Sequence, residues 1–194
     1  MPSPLAHAAA AYAIYRLSGP MRPDAPETHR DRVIRFLATA GFSFLPDFDV
    51  VPGLWAGDIG RYHYQQTHSL IAALAVTLGA GLLASRWRRG AGRSWAALAG
   101  VCYGLHLLMD VLTQGRRGVM LFWPLSTDRF QSPVTVFHGL QYSQHWTHPT
   151  HWVTLTNELT FTLLVLLGLW LRDRRLRRRP SAAPPGTKRL RGSS

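Results

Sequence analysis

Sulfur chemistry is nearly absent from this chain: Cys102 is the one cysteine in 194 residues, and it lies in an apolar run. It can form no intramolecular disulfide and no thiolate metal cluster. Lysine is almost missing too. Lys188 stands alone among arginines, and the 10 acidic residues leave a formal charge of +12. The sequence holds no His-Glu-x-x-His, no Gly-x-Ser-x-Gly elbow and no glycine-rich phosphate loop, which removes the familiar zinc-protease, serine-hydrolase and P-loop arrangements. No internal repeat occurs. The start, MPSPLAHAAAAYAIYRL, lacks a basic n-region and does not read as a cleaved signal peptide.

The excess of positive charge suggests a nucleic-acid binder until it is located. Of the 22 basic residues, nine lie between Arg172 and Ser194, together with Pro180, Pro184 and Pro185. That composition reads as a disordered tail. It contains no aromatic residue on which a base would stack, so specific nucleic-acid binding is not expected. Most other arginines sit in short blocks between apolar runs. A mean hydropathy of −0.04 is therefore an average over oily segments and a basic end.

The central apolar run, Trp95 to Thr113, is interrupted only by His106 and Asp110. As a helix it spans roughly 28 Å, close to a bilayer's hydrocarbon thickness. Its two polar groups are four apart, hence on one face. An ionisable pair in an apolar segment is costly unless partnered, and imidazole plus carboxylate is half of a divalent-metal site. The plainer reading is a buried His–Asp hydrogen bond between helices.

Four further helices surround it in sequence: residues 4–17, 33–45, 70–84 and 154–171. Three of the five are long enough to span a bilayer, and 4–17 and 33–45 are short for it. Between the second and third, LPDFDVVPG is expected as an extended or turn segment because Pro46 and Pro52 flank Asp47 and Asp49. Thr67 or Ser69 caps the third helix. Gln114 to Trp152 reads as a long aromatic loop. Within it HWTHPTHW (His145, His148, His151) is expected to rest at the interface, with Pro149 breaking helical register. Gly100 and Gly104 form a small-residue face for close packing.

With the N-terminus outside and five crossings, 18 basic residues face inward and four outward, a strong positive-inside bias that puts the tail in the cytoplasm. The same topology gathers His7, Asp47, Asp49, His63, His68, His106, Asp110 and Glu158 at one depth near the outer rim. Borderline divalent ions such as zinc take this mixture of imidazole and carboxylate. His63 and His68 would splay by about 140 degrees on one helix, so His63 is expected to reach in from the loop.

PLAH (His7), LPDFD (Asp47, Asp49), YHYQQTHSL (His63, His68) and YGLHLLMDVLTQG with a following LFWPLS (His106, Asp110) are together similar to the bacterial membrane-bound metal-dependent hydrolases. That family resembles, at a distance, zinc-dependent phospholipase C and the single-strand-specific zinc nucleases. The resemblance covers about residues 4 to 172. It implies an all-α, polytopic bundle of about five helices in the bacterial inner membrane, with a phospholipase C-like site for one to three divalent ions. It implies His7, Asp47, Asp49, His63, His68, His106 and Asp110 as ligands. The soluble relatives complete their site with a second His-x-x-x-carboxylate pair on a later helix, which this chain lacks; His151 and Glu158, seven apart, are the substitute.

The expected organisation is a membrane-embedded hydrolase domain over residues 1–172 and a basic tail over 173–194. The expected reaction is metal-dependent hydrolysis of a phosphoester of a membrane lipid or lipid-linked substrate. Asp110 and Glu158 are the catalytic carboxylates, and Arg61, Arg116 or Arg117 steadies developing negative charge. The rival is a non-enzymatic membrane protein, a metal transporter or sensor, using the same ligands.

Overall fold

The computed structural model describes residues 4–21, 26–57, 63–114, 118–139, 145 and 147–178. It is mostly helical: α1 (Pro4–Leu17), α2 (His29–Phe44), a 3-10 turn (Leu45–Asp49), α3 (Val50–Trp55), a second 3-10 turn (Gln66–His68), α4 (Leu70–Trp87), α5 (Gly92–Val111) and α6 (Pro149–Arg177). A two-residue parallel pair, β1 (Thr113–Gln114) with β2 (Phe137–His138), pins the long loop back onto the end of α5.

Three helices, α4, α5 and α6, are long and apolar enough to cross a membrane. Helix α4 makes the point physically. It is apolar around its whole circumference yet none of its residues is buried within the chain. Leu74, Leu78, Leu82 and Leu83 face outward, as lipid-facing side chains do. Helix α5 is the opposite, the central element, with Leu98, Ala99, Cys102, Tyr103, His106, Leu107, Met109 and Asp110 buried. Helices α4 and α5 form a tight hairpin. A Cβ on Gly92 would sit 2.0 Å from Ser85 Oγ and 2.8 Å from the Gly81 carbonyl, so that contact requires glycine. The face expected at Gly100 and Gly104 is only half used. Gly100 meets Thr77, whereas Gly104 has open space beside it.

Helix α1 buries Ala6, Ala9, Ala10 and Ala11. Such small side chains let helix backbones approach closely. Ala6 and Ala10 pack with Met109 and Phe137, which brings His7 against α5. Helix α2 begins four residues before its apolar pattern because Thr28 and Asp31 form a capping box. Thr28 accepts from the Asp31 amide at 3.1 Å, and the Asp31 carboxylate accepts from the Thr28 amide and hydroxyl. Thr28→Ala is expected to destabilise the fold by about 1 kcal/mol, read as a lower thermal midpoint in detergent. The bonds from Thr28 hold the Asp31 carboxyl down at about 2, against 3.8 for the free group. A depressed carboxylate stabilises above its unfolded value, so this box is intact at neutral pH. It is lost as the pH falls from about 3.8 through about 2.

Three sequence expectations change. LPDFDVVPG is helical rather than extended: Pro46 opens the first 3-10 turn and Pro52 lies in the first turn of α3, where a missing N–H costs nothing. Pro149 does not break a helix but starts one, with His148 as the N-cap whose Nδ1 accepts from the Thr150 amide. Helix α6 runs to Arg177, into the segment read as tail, because arginine is a good helix former and basic side chains suit a helix C-terminus. Residues 179–194 lie outside the described residues, as do Arg61, Arg116 and Arg117.

Candidate metal centre

Helix α5 supplies the frame. His106 and Asp110 project from one face into the interior, both buried. Helix α2 ends beside them, and the Ser43 carbonyl accepts a hydrogen bond from His106 Nδ1 at 2.7 Å. That carbonyl fixes the tautomer: Nδ1 carries the proton, and the Nε2 lone pair points into the site. The 3-10 turn that continues α2 carries Asp47 and Asp49 across the top. The second 3-10 turn delivers His68 from the other side, and Tyr103, one turn before His106, anchors it by donating to the Thr67 carbonyl at 2.6 Å.

Four atoms converge. His68 Nε2 lies 3.6 Å from Asp47 Oδ1 and 3.2 Å from Asp110 Oδ2. His106 Nε2 lies 3.4 Å from Asp47 Oδ1 and 3.1 Å from Asp110 Oδ2. Donors arranged tetrahedrally at about 2.1 Å from one ion stand about 3.4 Å apart, so this spacing fits a single zinc-sized cation. The hydrogen-bond ledger agrees. His68 Nε2, His106 Nε2, Asp47 Oδ1 and both Asp110 oxygens are buried without a hydrogen-bond partner. Two lone-pair nitrogens facing two carboxylate oxygens repel one another unless a cation or a proton lies between them.

Asp49 belongs to a second tier. Its Oδ1 accepts from His63 Nδ1 at 2.8 Å, and its Oδ2 accepts from His68 Nδ1 at 3.1 Å and from Thr67 Oγ1 at 2.8 Å. Asp49, His63 and His68 are themselves close enough to form a second metal-ligand group. With His68 Nε2 already turned to the first group, however, the Nδ1–H must go to an acceptor, and Asp49 is that acceptor. Carboxylates placed this way behind an imidazole orient the ring and raise its basicity. Burial works against the charged form of Asp49, yet the bonds from His63 and His68 outweigh it and hold the carboxyl below its usual range. Asp49→Asn offers one oxygen where two acceptors are needed. Zinc affinity is expected to fall about 10- to 100-fold with the stoichiometry unchanged, measured by competition with a chromogenic chelator.

The other expected ligands are distributed unevenly. His7 stacks on His106 with ring centroids 4.1 Å apart, and its Nε2, also buried without a hydrogen-bond partner, lies 3.7 Å from Asp110 Oδ1, although His7 falls in neither donor group. His63 reaches in from the loop as expected, with Nε2 3.8 Å from Asp47 Oδ1. Glu158 is fully buried in α6 but falls in neither donor group. His145 pairs with Thr147 and His148 caps α6, so neither joins the cluster. The partners that sequence reasoning missed are the Ser43 carbonyl, Thr67 and Tyr103. A backbone carbonyl leaves no trace in residue identity, and Tyr103 looks like one more apolar member of α5.

A helical bundle with three membrane-length helices and a buried His–Asp cluster at one end defines the class: an integral membrane protein with a candidate metal centre. More narrowly, the chain belongs to the YdjM inner membrane protein family, whose model matches residues 1–176. It is also similar to "Inner membrane protein YbcI" of Escherichia coli (strain K12), 34% identical over 140 residues that cover 68% of this chain and 80% of that protein. Both names give a location and neither gives a reaction. No solved structure matches the chain.

Proposed function

We propose that the protein is an inner-membrane, divalent-metal-dependent hydrolase acting on a phosphoester of a membrane lipid or lipid-linked substrate, with zinc as its ion. The observation that carries the metal is the set of four buried, unpaired donor atoms at 3.1–3.6 Å between His68 or His106 and Asp47 or Asp110. An ion bound there would supply Lewis acidity and an acidified water. His68, His106, Asp47 and Asp110 hold it, and Asp49 and the Ser43 carbonyl keep the two imidazoles aimed. Asp47 is the donor with most residual exposure, 14% of its side chain, so a substrate approaches over the Asp47 edge. The motif resemblance supplies the reaction class. The positive-inside distribution of arginines supports the orientation, with the N-terminus and the site outside and the C-terminal tail in the cytoplasm. At that depth a phospholipid headgroup is the nearest phosphoester.

The second reading is a non-enzymatic metal-binding membrane protein, a sensor or transporter using the same ligands. The space beside His7, Ser43 and His106 is too small for a water molecule, which gives an ion no inward path there and speaks for sensing over transport. Detergent-purified protein, analysed for zinc and for phosphodiesterase activity beside a His106→Ala, Asp110→Ala double variant, separates the two. About one zinc per chain and activity lost with it in the double variant are expected. Zinc without any hydrolysis would favour the second reading, and equal activity in both proteins would end the first.

A further inference from the structure

A groove unrelated to the metal cluster opens at the arginine-rich end of the bundle. Helices α2 and α4 form its walls, and α5 contributes Trp95 to its lining. It encloses about 700 Å³, a volume within the range of small-molecule sites. Its chemistry is graded along its length. The deep part is apolar, from Ile34, Ala38 and Phe42 on α2 to Val76 and Leu83 on α4. The mouth carries Arg30, Asp31 and Arg88, flanked by Trp87 and Trp95.

We propose that this groove binds one anionic phospholipid, with an acyl chain between α2 and α4 and the headgroup phosphate at Arg30, beside the Arg88–Asp31 ion pair. Length, lining and charge agree. Arg30 to Phe42 along α2 spans about 18 Å at 1.5 Å per residue, close to the roughly 15 Å of one leaflet's hydrocarbon. Tryptophans at the mouth mark the level of the headgroups. The acidic groups at the mouth are already engaged. Glu27 accepts from Arg35 through both oxygens, and Asp31 accepts from Thr28 and Arg88. Arg30 is exposed beside them and lies on the groove-lining stripe of α2, one turn above Ile34, so it faces an incoming phosphate. A water-filled apolar slot along a membrane helix would be costly, and an acyl chain removes that cost.

The test is native mass spectrometry of full-length protein in detergent, with phosphatidylglycerol or phosphatidylcholine added at equal concentration, beside Ala38→Trp and Arg30→Gln. The wild type is expected to retain one phosphatidylglycerol in preference to phosphatidylcholine. Ala38→Trp, which fills the slot, loses retention of both lipids. Arg30→Gln, at an exposed position that does not endanger folding, narrows the preference about tenfold. Zinc content of each variant verifies that the rest of the fold is intact. Equal retention of the two lipids by the wild type, or an unchanged preference in Arg30→Gln, overturns the proposal. So does undiminished retention by a zinc-loaded Ala38→Trp.

Discussion

Asp110→Asn is expected to abolish zinc binding and, in the same protein, to raise the thermal midpoint measured in chelator at a pH alkaline enough to hold both imidazoles neutral. The two effects have one cause. Asp110 Oδ2 sits 3.2 Å from His68 Nε2 and 3.1 Å from His106 Nε2, and both nitrogens are lone-pair acceptors in the tautomers that Asp49 and the Ser43 carbonyl impose. A carboxylate oxygen there attracts a cation and repels the nitrogens. An amide –NH₂ in its place carries two donors, one for each imidazole, and closes the network without an ion. Replacing an orienting partner typically costs 10- to 100-fold in affinity, so loss of a direct ligand is expected to cost more than about 100-fold. Differential scanning fluorimetry with zinc and with chelator makes the comparison. The wild type is stabilised by zinc through mass action, and the variant is not. If the cluster were only a hydrogen-bonded glue of protonated histidines and carboxylates, Asp110→Asn would lower the midpoint in both conditions. Burial disfavours a charged His68, but Asp110, Asp47 and Asp49 outweigh it and raise its pKa well above 6.5. Proton and ion therefore compete at this ring, and zinc affinity is expected to weaken as the pH is lowered.

The cluster was legible because its members are rare residue types in improbable places. His106 and Asp110 interrupt an otherwise apolar run at helical spacing, and the topology alone carries His68 and Asp47 to the same rim. What the sequence does not separate is direct ligands from their supports. Asp47 and Asp49 are two residues apart in one tight turn and chemically identical. Only the three-dimensional course of that turn aims Asp47 at His106 and turns Asp49 back onto the Nδ1 atoms of His63 and His68. His7 and Glu158 show the same limit. Both are buried, as expected of functional groups, yet neither falls in a donor group, because a residue's depth along a helix does not fix its angular position around the bundle.

The fold was readable where hydrophobic length decides the matter and misread where a proline does two jobs. Helices α4 and α5 emerge close to their expected bounds and α6 is longer at both ends, since no arrangement other than a helix satisfies the backbone of such a segment in hydrocarbon. Pro46, Pro52 and Pro149 each looked like a break. Each instead sits in the first turn of a helix, where its fixed φ is already helical and no intrahelical N–H bond is missed. Short polar helices, whose stability comes from caps and neighbours, carry too little periodicity to be told from turns.

Arg35 is expected to be the costliest arginine to remove, although by sequence it is one of many inward-facing positive charges. It is buried, and its guanidinium binds Glu27 side-on, Nε to Oε1 at 2.8 Å and Nη2 to Oε2 at 3.2 Å. Its remaining donor group reaches the Tyr15 carbonyl at 2.6 Å and the Ser18 carbonyl and hydroxyl at 3.2 and 3.0 Å, which ties the end of α1 to α2. Arg35→Met leaves a half-buried carboxylate and the last carbonyls of α1 unmatched. The expected loss is about 3–5 kcal/mol, seen as a large fall in the thermal midpoint. Arg35→Lys recovers little, because an ammonium cannot reproduce the fork that serves Glu27 and the carbonyls together. A second change, Glu27→Gln, added to Arg35→Met removes the stranded charge and is expected to restore part of the loss. Because Arg35 lies two turns before Ser43 on the same buried stripe of α2, folded Arg35→Met should still bind zinc at the wild-type stoichiometry. A variant that loses zinc while staying folded would mean that α1 and its His7, rather than the four-atom group alone, hold the ion.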